Sequence, residues 1–184
     1  MAPLSRLERT GVVLALSLAA AGLYAGWLAH WFLTDDAFIA FRFVDNRRLG
    51  YGYTWNPPPF VPVEGYTSFA WLVLLDGVWS AFGIEPPEVA NWLALGCAFG
   101  SLALTAWAAL RVCTAGGVLA GRVLLCACVL AGVASQRSVA IWASSGMETA
   151  LWNLLLQAWV LCGLLGRPGP QLLAAECALA TAAA

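Results

Sequence analysis

Long apolar runs, interrupted once by a polar and aromatic stretch, set the pattern of this chain. Gly11 to Leu33 is the first run, and at 1.5 Å per residue it predicts a helix of about 34 Å, enough to cross a hydrocarbon core. Arg6 and Arg9 precede it as in a signal peptide, but its length and the lack of a small-x-small cleavage site predict an uncleaved anchor. Tyr24, Trp27, His30 and Trp31 crowd its far end as an interfacial aromatic belt would. Val89 to Leu110, Val118 to Ile141 and Met147 to Leu165 are three further runs of spanning length. A last run, Gln171 to Ala184, begins and stops short, so the chain is expected to end inside a helix.

Tyr66 to Ile84 is apolar but short, carries Asp76 near its middle, and is bounded by Gly65 and Pro86. Laying it flat on the outer surface leaves Arg6, Arg9, Arg111, Arg122 and Arg167 at the cytoplasmic side and turns Arg137 outward. That agrees with the excess of cations on cytoplasmic loops. The expected topology is therefore four complete spans and a truncated fifth, with the N-terminus cytoplasmic and the 34–87 loop outside. On this topology the loop and the Ser144–Glu148 turn share one face of the membrane.

Composition sharpens the class. With 61% hydrophobic and 10% charged residues and a mean hydropathy of +0.79, the chain is too apolar for a soluble domain. The expected fold is all-α, a polytopic transmembrane helix bundle. A net charge of −1, with all nine cations arginine, offers no basic field for nucleic acid, which is excluded as a partner. Cys97, Cys113, Cys126, Cys128, Cys162 and Cys177 lie in or at the ends of apolar runs and read as small packing residues.

Charge is concentrated between Thr34 and Trp71. Thr34 suits an N-cap, with Asp35 and Asp36 in the first turn and Phe38, Ile39, Phe41, Phe43 and Val44 following, which predicts a short interfacial helix. Gly50 and Gly52 end it, and YTWNPPP must be extended and turning because consecutive prolines forbid helix. On that helix Asp35 and Arg42 share a face, two turns apart, while Asp36 is rotated by about 100°.

Two readings of the acidic pair stand side by side: helix capping, or general-base chemistry in a partly desolvated groove at the membrane surface. A divalent metal is compatible with two adjacent carboxylates, but a hard cation needs more oxygen ligands than these supply. His30, the single histidine, reads as an amphipathic ring at headgroup level. Arg42 suits a phosphate or the Asp35 carboxylate, or else solvent. Glu148, after Ser144 and Ser145, is either an acid near a helix N-terminus or a ligand-binding group. Asn46 and Asn56 read as turn-fixing residues.

The runs DDAFIAFRFVDNRRLGYGYTWNP, VEGYTSFAW and SSGMETALW, in this order, resemble the N-terminal part of GT-C class, polyprenyl-phosphate-dependent integral membrane glycosyltransferases. Within that class they are most similar to the arabinofuranosyltransferase-like group, with its DDAF-I-x-x-R-Y-x-x-N, N-P-G, V-E-G-Y-T-N-x-L-W and S-G-x-E-T pattern. The likeness covers roughly residues 1 to 165, the front part of such an enzyme, so the isolated chain is expected to be inactive. NPPPFVP stands where the pattern has N-P-G, making a longer and stiffer turn, and Ser68 stands where it has Asn.

The resemblance implies transfer of a sugar, such as a pentofuranose, from a polyprenyl-phosphate donor to an extracytoplasmic glycan or glycoconjugate acceptor. It implies interfacial juxtamembrane helices, Asp35 as the catalytic base and Asp36 as a second acid orienting base or acceptor. Arg42 matches the motif's arginine, and Glu64, Tyr66 and Glu148 fall where they would hydrogen-bond a sugar. Direct attack with one base implies inversion, and a monophosphate donor has less need of a metal than a diphosphate. The competing reading is a non-catalytic membrane protein or transporter fragment whose loop acids only cap helices.

Overall fold

The computed structural model describes residues 4–63, 65–66, 68–112, 119–165 and 169–183. Among them every regular element is a helix: α1 (Arg6–Ala29), α2 (Asp35–Arg48), α3 (Phe69–Phe82), α4 (Pro86–Val112), α5 (Leu119–Ala134), α6 (Arg137–Ala143), α7 (Thr149–Leu165) and α8 (Pro170–Ala183). Two of these, α1 and α4, are long and apolar enough to cross a membrane. A third crossing is reached if α5 and α6 count as one broken span, bent by 60° between them.

The expected continuous run to Ile141 is thus two helices, its described part interrupted at Ser135 and Gln136. The seventeen residues of α7 cover about 25 Å and the fourteen of α3 about 21 Å, both below the roughly 30 Å of a hydrocarbon core. Val118, Cys113, Arg167 and Ala184 lie outside the described residues.

α1 begins with a capping box, in which Ser5 Oγ accepts from the Glu8 N–H and the Glu8 carboxylate accepts from the Ser5 N–H. Glu8 also lies 3.9 Å from Arg122 on α5, so the starts of α1 and α5 share one end of the molecule. Small residues let the helices approach: a methyl on Gly11 would meet Val123, one on Gly26 would meet Ala140, and one on Gly100 would meet Leu154. In lipid, where burying leucine gains little over leaving it among acyl chains, such close packing is what holds helices together. Leu23, Trp27, Leu102, Cys126 and Leu130 fill the core of α1, α4, α5 and α6. Trp27 was expected in the aromatic belt, yet it is buried, and its indole N–H donates to the Ala143 carbonyl at 3.0 Å. Tyr24 and Trp31 are exposed.

A second core joins α2, α3 and the start of α4 through Phe43, Val44, Trp71, Leu75, Ala90 and Ala94. Asp76 sits in it, accepting from Arg47 at 2.8 Å and from the Tyr53 hydroxyl at 2.9 Å. With Arg48, whose guanidinium donates to Ser80 Oγ and lies 4.5 Å from the Trp79 ring, this acid ties α3 to the charged α2 beside their shared apolar core. Burial, and then the hydrogen bond to Asp76, push the Tyr53 phenol above its ordinary range. Its stabilising effect is complete below an unfolded-state value of about 10 and is lost as pH rises through the higher native one. Asp76→Ala is expected to cost about 1–3 kcal/mol, kept low because the Arg47 side chain is 44% exposed. The same substitution should bring the Tyr53 titration, followed at 295 nm against a Tyr53→Phe control, back toward the ordinary range. An unchanged melting temperature in detergent would refute the locking role.

Candidate functional site

Between α1 and α2 the chain leaves helical geometry, so the backbone polar groups of residues 30–34 need partners elsewhere. They find them in the Ser144–Ser145 turn. The Phe32 N–H donates to the Ser144 carbonyl at 3.1 Å and the Thr34 N–H to the Ser145 carbonyl at 3.0 Å. Ser144 Oγ donates to the His30 carbonyl at 2.9 Å, and Asn91 of α4 donates to the Phe32 carbonyl at 2.9 Å. His30 itself is the C-cap of α1, its Nδ1 placed 2.8 Å from the Gly26 carbonyl. These bonds seat the start of α2 beside the start of α7, although more than a hundred residues separate them in sequence.

Thr34 caps α2 as expected, Oγ1 accepting from the Asp36 N–H at 3.0 Å, and the helix ends at Arg48 before Gly50, whose φ is +91°. After the turn, Asn46 Nδ2 donates to the carbonyls of Thr54 and Trp55, which fixes the extended segment along α2. Asn46, read as a turn-fixing residue, is buried and holds the segment that follows the turn.

A cavity of about 250 Å³ lies where these segments converge, lined by Asp36, Phe43, Tyr66, Ser68, Trp71 and Glu148 among others. Three of the residues singled out from sequence, Asp36, Tyr66 and Glu148, therefore face one space. Asp35 is not among the lining residues and is exposed in the first turn of α2. The partly desolvated groove that the general-base reading calls for is not found, whereas helix capping needs none: both carboxylates are exposed, because the first turn of α2 projects beyond the packed core that begins at Ala37. Glu64 lies outside the described residues.

Of the partners weighed for Arg42, a phosphate, the Asp35 carboxylate or solvent, the side chain is exposed to solvent and also contacts Trp55. Its guanidinium stacks 4.3 Å from the Trp55 ring and its Nε donates to the Trp55 carbonyl at 3.2 Å. A planar cation over an indole, with a carbonyl in reach, gains a π contact and one hydrogen bond together. Glu148 stands directly before α7, and its carbonyl accepts from the Trp152 N–H at 2.9 Å. Ser144 and Ser145 do not cap that helix: the Ser144 hydroxyl, with one proton, has the Ala140 and Ile141 carbonyls in reach besides that of His30, and the Ser145 hydroxyl donates to the Trp142 carbonyl.

Sequence reasoning missed three contributors. Trp71 lines the cavity, is 1% exposed, and its indole N–H has no partner among the described residues. Asp76 was read only as a charge in a short apolar run; the pairing with Arg47 is signalled by nothing nearer than 29 residues. Gly146 has φ +80°, and its close fit against Leu33 and Ala37 becomes visible only in three dimensions.

Two helix N-termini, those of α2 and α7, flank the cavity through Asp36 and Glu148. Their dipoles favour negative charge, whether of a side chain or of a ligand. Among the described residues no group of three or more His, Cys, Asp or Glu side chains gathers. A divalent ion here would take most of its oxygens from substrate or water. Compared with family models, curated proteins and solved structures, the chain matches none of them.

Proposed function

We propose that this chain contributes the acidic wall of a membrane glycosyltransferase site. The reaction moves a sugar, a pentofuranose by the resemblance, from a polyprenyl-phosphate donor to an extracytoplasmic glycan or glycoconjugate acceptor. The observation that carries this reading is the convergence of Asp36, Tyr66 and Glu148 on one small cavity, from three segments distant in sequence. These are the segments that bear the transferase-like motifs. At about 250 Å³ the cavity is smaller than the roughly 300–1,000 Å³ typical of drug-sized ligands, which suits one sugar ring rather than an oligosaccharide.

In the proposed step the acceptor hydroxyl attacks the anomeric carbon and gives its proton to Asp35. The bond from that carbon to the donor phosphate oxygen breaks, and the polyprenyl phosphate leaves with the electron pair. Attack opposite the leaving group inverts the centre. Asp36, Tyr66 and Glu148 hold sugar hydroxyls, and Arg42 supplies positive charge near the leaving phosphate after exchanging its contact with Trp55. The α2 and α7 N-termini add to that electrostatic cover.

The proposed setting is a plasma membrane, with the N-terminus cytoplasmic and the 34–87 loop outside. The arginine distribution supports that orientation, and the Glu8–Arg122 contact and the cavity lie toward opposite ends of α1, as it requires. The test is sugar transfer in membranes from cells expressing the full coding sequence, supplied with a radiolabelled polyprenyl-phosphate pentose and a glycan acceptor. Label appearing in the acceptor, dependent on the lipid donor, is the expected result. Absence of transfer from a panel of polyprenyl-phosphate sugars counts against the reading.

A further inference from the structure

Between Arg48 and Glu64 no side chain is charged, and the chain carries NPPPFVP where the resembled motif has a short N-P-G turn. The structure shapes this stretch as a closed loop. At its foot the Val63 carbonyl accepts from the Trp55 N–H at 2.9 Å, and Asn46 holds the Thr54 and Trp55 carbonyls against α2. At its tip the Phe60 N–H donates to the Pro57 carbonyl at 3.3 Å, and Phe60 and Val61 are 67% and 80% exposed. Pro58, Pro59, Pro62 and Val63 are exposed as well. No step proposed above uses this surface.

We propose that residues 57–63 insert into the lipid leaflet beside the Asp36–Tyr66–Glu148 cavity and anchor one wall of that cavity at a fixed depth. An apolar surface held out on a tied foot marks a contact with lipid or with protein. Backbone chemistry favours lipid. A peptide N–H taken into the bilayer boundary without a partner is costly; Pro57, Pro58, Pro59 and Pro62 have none to lose, and that of Phe60 is already bonded. The same want of donors and charge leaves a protein partner little to read beyond shape. The foot suits the headgroup level, since Arg42 stacks on Trp55 at 4.3 Å and Tyr51 is exposed. Arginine and aromatic groups at the foot, with phenyl and aliphatic groups at the tip, follow the order met from the membrane surface inward. Gly65 and Tyr66 come next in the chain and line the cavity, so the depth of the anchor sets the depth of that wall. The anchor serves whichever ligand the cavity takes.

The test builds a fluorescent amino acid into the full-length protein at Val61 by stop-codon suppression, which leaves the six native cysteines untouched. The protein is placed in phosphatidylcholine nanodiscs in which part of the lipid is brominated, either near the glycerol end of its chains or near the methyl end. Emission should be quenched more by the first lipid than by the second, because interfacial segments reach about 5–10 Å into the headgroup–acyl boundary. Iodide in the water should quench little. Phe60→Asp should shift the loop about tenfold or more toward water and restore the emission, whereas Phe60→Leu should leave the quenching in place. Phe60 is exposed, so neither change disturbs the packed cores. Quenching by iodide with none by brominated lipid puts the loop in water and overturns the proposal. Protection from both puts it against protein and overturns it too, as does lipid quenching that Phe60→Asp leaves unmoved.

Discussion

Asp35→Asn is expected to lower sugar transfer by about 10²–10⁴-fold, the usual contribution of a positioned general base, with the donor KM nearly unchanged. The asparagine keeps the size and the helix N-terminal position of the acid and cannot take the acceptor proton. Because Asp35 is exposed and Thr34 rather than Asp35 caps α2, folding should survive the change. Asp36→Asn is expected to act differently. That carboxylate lines the cavity with Tyr66 and Glu148, so its loss should raise KM more than it lowers kcat. The two residues differ by about 100° around α2, which is what makes separate effects possible. Catalytic contacts often tighten only once substrate is bound, so the open position of Asp35 is compatible with its proposed role. If Asp35→Asn turned over normally while Asp36→Asn were inert, the base would be the cavity-lining acid and the assignment would fail.

Local physics made much of α2 legible. A threonine followed by two acids, then apolar residues and two glycines, describes a capped helix from beginning to end, and Thr34, Asp36 and Gly50 occupy those roles. The all-helical class followed from apolar runs too long for a soluble core. Crossing number was less legible, because mean hydropathy does not record where a helix breaks. The α5–α6 bend falls at Ser135–Gln136, inside a run that reads as continuous. Trp27 shows a second limit: near a helix end a tryptophan can lie at the interface or donate inward, and only the Ala143 carbonyl from another segment decides. For the site, helix phase related Asp35 to Arg42, but phase cannot weigh a competing partner. Trp55, thirteen residues on, offers Arg42 both a ring and a carbonyl. The meeting of α2 with the Ser144–Glu148 turn was foreseen from topology; the backbone bonds that achieve it were not.

Those bonds make Gly146 the most sensitive position in the candidate site. Its φ of +80° lies in the left-handed region, where a Cβ costs roughly 1–2 kcal/mol. A methyl would also stand 2.6 Å from Leu33 Cδ2 and 3.1 Å from the Ala37 Cβ. The leucine tip can swing aside, but Ala37 is buried in α2 and cannot, so relief must come from moving the turn. Gly146→Ala is therefore expected to cost about 2–4 kcal/mol, and Gly146→Val more. Movement of the turn would carry Glu148 away from Asp36 and strain the bonds from Phe32 and Thr34 to Ser144 and Ser145. Transfer should accordingly fall even in the fraction that folds. Pairing Gly146→Ala with Leu33→Ala separates the causes. The double variant should cost less than the sum of the singles, because the leucine contact is gone, while the backbone strain stays. Thermal unfolding in detergent supplies all three values. Strict additivity would mean that Leu33 does not oppose the new methyl and that the turn is held some other way.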